Sequence, residues 1–141
     1  MGNLIVRAQV LVGGRAEGAV VVLDEPLSMW GGLDPATGTV IDHHHPQRGV
    51  VLTGAIVVMP SGRGSSSSSS VLAEAIRLGT APAGFVLGTA DPIVALGVIV
   101  ARELYGRHVP VVQLPVEGFA RATRATRLRI DGADVEPVDE P

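Results

Sequence analysis

The sequence contains no cysteine, has few aromatic residues (3%), and carries a small formal net charge of -3. Without cysteine, the chain cannot form disulfides, a zinc ribbon or an iron–sulfur cluster held by its own thiolates. A nucleic-acid-binding surface needs basic residues and stacking rings, so this composition argues against one. The most apolar stretch covers only residues 92–101, whereas a membrane-spanning helix needs about 20 apolar residues. Residues 1–7 lack the features of a signal peptide, and we expect a cytoplasmic protein without membrane contacts.

The 141 residues fit one domain, residues 1–141, and 46% of them are hydrophobic. Runs rich in Val and Ile predict strands at residues 4–12, 18–23, 39–42, 50–59, 84–87, 109–114 and 128–130. We expect the first two strands to be neighbours joined by the turn at Gly13–Arg15. Because strands come first and then alternate with helices, the pattern predicts a compact α/β domain with a closed or nearly closed sheet and two or three helices against it.

Two helices are predicted after residue 70. The first covers residues 71–78 and ends at Gly79. The second begins after Asp91 and Pro92, which are typical N-cap and N1 residues, and ends at Tyr105. Since this second helix is apolar on nearly every side, we expect it to be buried. The acidic, proline-containing end of the chain is expected to fray.

A long segment between residues 26 and 49 is rich in turn-forming residues and carries the only Trp and three of the four histidines. A loop of this length in a small domain is usually functional or disordered, and its composition favours a function. Trp30, followed by Gly31 and Gly32, is expected to plug the core or to form an aromatic wall of a pocket. Three successive histidines cannot all face one ion, so residues 43–45 predict no metal site.

The segment Pro60–Gly64 is followed by six serines, Ser65–Ser70. Serine and glycine runs are typical of flexible linkers, but this run lies between a predicted strand and a predicted helix of one domain. That position favours an anion-binding turn at a helix N-terminus, suited to a carboxylate or a phosphate. Arg63 could stabilise an oxyanion or bind a substrate carboxylate in bidentate fashion. The Gly-x-Ser-x-Gly motif of esterases and the phosphate-binding P-loop are both missing from the sequence.

Several motifs in this order resemble the small subunit of aconitase X, the swivel-domain partner of a two-subunit hydro-lyase. They are Glu25–Ser28, Trp30–Asp34, Gly38, Ile41–Asp42, His45–Pro46, Gly49 and, most specifically, Pro60–Ser69. The resemblance extends from about residue 6 to about residue 114. It predicts a core at about residues 4–116 and a C-terminal extension at residues 117–141.

The resemblance implies a swivelling β/β/α domain with barrel-like sheets flanked by helices. It also implies a heterodimer in which the large catalytic subunit supplies the cysteines and an iron or iron–sulfur centre, with no metal bound by this chain. By the same resemblance, Ser65 is the base that removes the α-proton of the substrate. Substrate contacts would come from Arg63, Gly64, Ser66 and Ser67, and further pocket residues from Trp30, Gly31, Gly32 and His45.

Ser67 stands where ordinary aconitases have an arginine, which argues against citrate-type substrates. Bacterial members of the aconitase X group dehydrate cis-3-hydroxy-L-proline to Δ1-pyrroline-2-carboxylate, and archaeal two-subunit members dehydrate 5-phosphomevalonate. The lysine-free, Ala- and Gly-rich composition is typical of a high-GC bacterium and favours the hydroxyproline reaction. Two other interpretations stay open: an anion-binding or phosphocarrier module with a phosphorylated His45, and an assembly partner whose serine loop is disordered.

Overall fold

The computed structural model describes residues 5–138 of the chain. Its strands are β1 Val6–Arg7, β2 Gln9–Val12, β3 Arg15–Val22, β4 Leu33–Asp34, β5 Thr39–Val40, β6 Ile56–Met59, β7 Gly84–Leu87, β8 Val111–Gln113, β9 Arg127–Asp131 and β10 Asp134–Pro137. Its helical segments are α1 Met29–Gly32, α2 Ser66–Leu78, α3 Pro92–Tyr105 and α4 Val116–Thr123. No helix within these residues has the length and apolar character that crossing a bilayer requires.

Eight of the strands form one sheet in the order β1-β10-β9-β3-β6-β7-β8-β2. The two strands at the ends of this order, β1 and β2, are separated in the chain by Ala8 alone. The two edges of the sheet therefore meet, and the sheet curls into a nearly closed barrel. Strands β3, β6, β7 and β8 run parallel, and the remaining pairs are antiparallel. The predicted α/β class with a nearly closed sheet flanked by helices is confirmed.

The hydrophobic core has two parts, one on each face of the parallel strands. One cluster packs β6 and β7 against α2 and α3 and includes Val57, Phe85 and Leu72. The other fills the barrel and includes Ile56, Val86 and Ile130. Every residue of β6 and β7 is buried, because both faces of these strands are covered. Side chains of β6 and β7 therefore do not reach solvent, and the polar side chains that follow these strands reach solvent from the loops at the strand ends.

The prediction that the first two strands are neighbours is wrong. Strand β2 pairs with β8 at the end of the sheet order, whereas β3 lies between β9 and β6. The Gly13–Gly14 link carries the chain from one part of the barrel to another and does not close a hairpin. The predicted strand at residues 50–59 is also shorter than expected, because only Ile56–Met59 joins the sheet.

Helix α3 has the predicted bounds. The Oδ1 atom of Asp91 accepts a 2.8 Å hydrogen bond from the Ile93 N–H, and Gly106 follows the last helical residue. The helix is not buried on every side, however, since Leu96 is 44% exposed and Leu104 is 67% exposed. Only one face of α3 packs on α2 and the sheet.

Residues 117–137 are not an extension beyond the core, contrary to the predicted boundary at residue 116. They supply the rest of α4 and the strands β9 and β10, and both strands belong to the main sheet. Leu128, Ile130 and Val135 lie in the barrel core. The end of the chain was expected to fray, yet Asp134–Pro137 forms a strand, and residues 139–141 lie outside the described part.

Candidate active site

The segment between β6 and α2 lies at the edge of the sheet where the parallel strands end. Ligands of α/β proteins commonly bind at this edge, because the polar loops that follow parallel strands meet there. Leu27 forms a parallel β-bridge with Gly62, and the N–H of Arg63 donates a 3.4 Å hydrogen bond to the Leu27 carbonyl. The chain that follows β3 therefore runs beside the Pro60–Gly64 segment.

Ser65 is the N-cap residue of α2. Its Oγ atom accepts a hydrogen bond from the Ser67 N–H at 3.3 Å, and the residue is exposed. The positive end of the helix dipole and the Ser67 N–H, which points at the Ser65 Oγ atom, favour negative charge at this position. The position therefore suits a serine oxygen that takes up and releases a proton.

The helix was predicted to begin at Val71, after the serine run. It begins at Ser66 instead, so Ser66–Ser70 belong to α2. Ser66 and Ser67 are exposed, as is Ser70, whereas Ser68 and Ser69 are buried. The Oγ atom of Ser69 donates a 2.8 Å hydrogen bond to the Ile93 carbonyl. The run is therefore a packed helical turn and not a disordered linker.

Gly64 gives the segment its sharp bend before Ser65. Its φ angle of 115° lies in a region that residues with a Cβ atom rarely adopt. A Cβ atom at this position would also lie 2.5 Å from Ser28 Oγ and 2.6 Å from Ser68 Oγ. The bend leaves Arg63 and Ser65 exposed on the same short segment.

Arg63 is exposed, and it takes part in none of the ion pairs formed within residues 5–138. In the chain, only Gly64 lies between Arg63 and Ser65. A guanidinium without an internal carboxylate partner is available to bind a carboxylate or phosphate of a ligand.

The Met29–Gly32 segment is a tight turn in which Trp30 and Gly31 have non-helical backbone angles. The angles of Trp30 (φ -70°, ψ 116°) and Gly31 (φ 76°, ψ -10°) are those of the two central residues of a type II β-turn. Such a turn favours glycine as the second of these central residues. Trp30 is 65% exposed, so the expectation that it plugs the core is wrong. Its N–H donates a 3.3 Å hydrogen bond to Ser68 Oγ, which brings the turn against the start of α2.

His45 is buried, and both of its ring nitrogens are used within the chain. Nδ1 accepts a 3.0 Å hydrogen bond from the Gln47 N–H, and Nε2 lies 3.0 Å from the Glu25 carbonyl. Since Nδ1 is an acceptor, Nε2 carries the proton and donates it to that carbonyl. The geometry thus gives His45 a structural contact between residues 24–26 and 45–47.

Residues 5–138 contain no group of three His, Asp or Glu side chains placed to hold a metal ion. The described part of the chain therefore has no ligand set that fits the iron centre implied by the resemblance.

The residues that hold the site together were not identified from the sequence. Ser28 belongs to a motif used for the resemblance, but nothing in the local pattern showed that its hydroxyl lies 3.1 Å from that of Ser68. The two residues are distant in the chain, so only the fold brings them into contact.

Comparisons with known proteins identify the family of the chain. The model of the aconitase X swivel domain matches residues 5–136. The chain is 43% identical over 127 residues to the cis-3-hydroxy-L-proline dehydratase of Hypocrea jecorina, a match that covers 90% of the chain and 21% of the relative. It is 36% identical over 133 residues to the phosphomevalonate dehydratase small subunit of Thermococcus gammatolerans, covering 94% of the chain and 97% of the relative.

The crystal structure of Thermococcus kodakaraensis aconitase X in its holo-form superimposes with a TM-score of 0.82 at 34% identity. That match covers 96% of the chain and 99% of the matched chain. The chain spans about a fifth of the Hypocrea jecorina dehydratase and nearly all of the Thermococcus gammatolerans small subunit. The chain therefore belongs to the aconitase X swivel-domain family.

Proposed function

We propose that the chain is the small subunit of an aconitase X-type dehydratase and that Ser65 removes the α-proton of the substrate. The observation that carries this proposal is the exposed Ser65 at the N-terminus of α2, one residue along the chain from the exposed Arg63, which forms no ion pair within residues 5–138. The helix terminus stabilises the serine oxygen when it is negatively charged, and Arg63 can bind the substrate carboxylate.

The substrate that we favour is cis-3-hydroxy-L-proline, with Arg63 and Ser66 contacting its carboxylate. The Oγ of Ser65, in its deprotonated form, takes the proton from the α-carbon, and the electron pair of that C–H bond forms the new double bond as the 3-hydroxyl departs. The proton and the hydroxyl together are the water that is lost. The enamine product then tautomerises to Δ1-pyrroline-2-carboxylate.

The alternative substrate is 5-phosphomevalonate, which also carries a carboxylate. Over alignments of more than 100 residues, the identity is 43% and 48% to two hydroxyproline dehydratases and 34–39% to three phosphomevalonate dehydratase small subunits, and this supports the first substrate. The match to nearly all of the Thermococcus gammatolerans small subunit supports the two-subunit arrangement. Assays with both compounds distinguish the two substrates.

In the proposed enzyme a large catalytic subunit completes the site. This is supported by the exposure of the serine segment and by the match to nearly all of a relative that is itself a small subunit. We place the iron or iron–sulfur centre in the large subunit. Such a centre would supply a Lewis acid for the departing hydroxyl. The contribution of this chain is to bind the carboxylate and to accept the proton.

The test is Ser65→Ala in the complex reconstituted with the large subunit. We expect kcat to fall by about 10²–10⁴-fold, the contribution typical of a positioned proton acceptor, while the complex still forms. Ser70→Ala is the matched control, since Ser70 is an exposed serine of the same run, and its kcat should stay near that of the parent. Turnover of Ser65→Ala close to the parent value, in an intact complex, would show that Ser65 is not the base.

A further inference from the structure

Three groups at the start of α2 form a closed ring of hydrogen bonds. The Trp30 N–H donates to Ser68 Oγ at 3.3 Å, and Ser28 Oγ donates to the Trp30 carbonyl at 3.2 Å. The Oγ atoms of Ser28 and Ser68 lie 3.1 Å apart. Ser68 is 2% exposed, so its hydroxyl exchanges little with solvent.

The direction of the third hydrogen bond follows from counting protons. A serine hydroxyl has one proton, and that of Ser28 is already donated to the Trp30 carbonyl. The bond between the two hydroxyls must therefore be donated by Ser68 to Ser28. Each donor of the ring is then used once, and such a chain of hydrogen bonds strengthens its members.

Ser68 also contacts the proposed catalytic segment through its backbone. Its N–H donates a 2.9 Å hydrogen bond to the Ser65 carbonyl. The ring lies directly against Gly64, where a Cβ atom would come within 2.6 Å of either hydroxyl oxygen. Ser68 is thus the one residue of the ring that is bonded both to Ser65 and to the Trp30 turn.

We propose that Ser68, together with Ser28, is a positioning residue that holds the Trp30 turn against the first turn of α2, so that the indole forms one wall of the substrate pocket that the proposed function requires beside Ser65. The role of the indole as a pocket wall rests on the proposed function, whereas the ring of hydrogen bonds is observed independently of it. The role explains why the serine run continues past the residues that face the substrate. Ser68 secures the Trp30 turn, and Ser69 secures α3 through the Ile93 carbonyl.

The first test uses Trp30 as its own reporter, because it is the only tryptophan of the chain. In Ser68→Ala we expect lower steady-state fluorescence anisotropy and a changed quenching constant with acrylamide, since the turn loses two hydrogen bonds. Ser69→Ala is the matched control: it removes an equally buried hydroxyl from the next position of the same helix and leaves the ring intact. Ser28→Ala removes the other hydroxyl of the ring, which belongs to a more exposed residue. It should change the anisotropy and the quenching in the same direction as Ser68→Ala.

Anisotropy and quenching that stay at the parent values in both ring variants would overturn the proposal, whatever the activity of the enzyme. The proposal would also be overturned if Ser69→Ala changed the anisotropy and the quenching as strongly as Ser68→Ala. Thermal unfolding of all three variants shows that each comparison is made on folded protein. Because this test needs no substrate, its outcome is independent of the role of Ser65.

The second test measures the dehydration kinetics of the reconstituted complex. A displaced pocket wall should lower kcat/KM of Ser68→Ala and Ser28→Ala by about tenfold or more, with Ser69→Ala near the parent at a comparable thermal midpoint. If kcat/KM of both ring variants equals that of the parent while Ser65→Ala is inactive, the positioning role is wrong and the proposed function stands. If Ser65→Ala is active but the ring variants are impaired, the proposed base is wrong and the positioning role is supported.

Discussion

His45 shows at the scale of one residue how a side chain with reactive chemistry can serve the fold. Its two ring nitrogens bind the Gln47 N–H and the Glu25 carbonyl, and the ring is 5% exposed. We expect His45→Ala to lower the free energy of unfolding by about 1–3 kcal/mol, because two backbone groups lose their partner. Urea unfolding followed by circular dichroism measures this change.

The matched control is His44→Ala, since His44 is exposed, its backbone N–H donates to Asp42, and its ring forms no hydrogen bond within residues 5–138. Its unfolding midpoint should stay near that of the parent. The phosphocarrier interpretation requires a ring nitrogen of His45 that is free to attack a phosphoryl donor. A mass increase of one phosphate after incubation with such donors, lost in His45→Ala, would contradict the structural role.

Single residues were predictable where their local chemistry decides their position. Asp91 was predicted as an N-cap, and its carboxylate does accept the Ile93 N–H. Of the two positions expected for Trp30, the core plug is wrong, because the exposure of Trp30 depends on the turn that Gly31 allows. The pocket wall stays a prediction. Ser68 was not identified, because its partners are 38 and 40 residues away in the chain.

At the scale of elements, α2 and α3 pack closely because small residues face each other. A Cβ atom at Gly97 would lie 2.9 Å from the Ser69 carbonyl oxygen and 3.2 Å from Leu72 Cβ. Alanine favours a helix over glycine by about 1 kcal/mol, but a contact with backbone cannot be relieved by a rotamer change. We therefore expect Gly97→Ala to destabilise the protein by about 1–3 kcal/mol.

Thermal and urea unfolding test this expectation, with Glu103→Ala on the exposed face of α3 as the control. Glu103 is 70% exposed and its ion pair with Arg102 is loose, at 3.6 Å, so the control should stay within about 0.5 kcal/mol of the parent. A more stable Gly97→Ala protein would mean that helix propensity outweighs the contact and that the two helices can separate slightly.

The same packing explains which helix could be predicted from sequence. The ends of α3 follow from Asp91, Pro92 and Gly106, residues whose preference for helix ends is local. The start of α2 could not be found in this way, because serine has a modest helix propensity and a run of it is typical of linkers. Burial of Ser68 and Ser69 against neighbouring elements makes that run helical.

At the scale of the whole molecule, the closure of the sheet depends on contacts that no local pattern reveals. Strand β9 separates β3 from β10, although the chain reaches β9 more than a hundred residues after β3 begins. Most strands were predictable from their Val- and Ile-rich composition, but β4 and β10 were not. The order of the strands was not predictable, and residues 127–137 were therefore assigned to an extension although they close the barrel.

The strands of this C-terminal part are joined on their outer face by charged side chains. Glu17 of β3 binds the Nε atoms of Arg127 and Arg129, each at 3.2 Å, and Arg129 also binds Glu136 of β10 at 2.8 Å. The hydrogen bond from Arg127, and then that from Arg129, holds the pKa of the Glu17 carboxyl below its ordinary value of 4.5. The ionised carboxylate is thus favoured more strongly in the folded state than in the unfolded chain.

A carboxyl whose pKa is lowered by folding stabilises the folded state above its unfolded pKa, and this contribution is lost as the pH falls through the lowered value. We therefore expect Glu17→Gln to lower the thermal midpoint at pH 7, and the difference from the parent to shrink as the pH falls below about 4.5 and through the lowered pKa of Glu17. Because Glu17 is solvent-exposed, the difference at pH 7 should be small and should decrease further in high salt. Glu117→Gln, which removes an exposed carboxylate outside these ion pairs, controls for the loss of one negative charge. A difference between Glu17→Gln and the parent that does not shrink as the pH falls below about 4.5 would mean that the ionised carboxylate does not join β3 to β9.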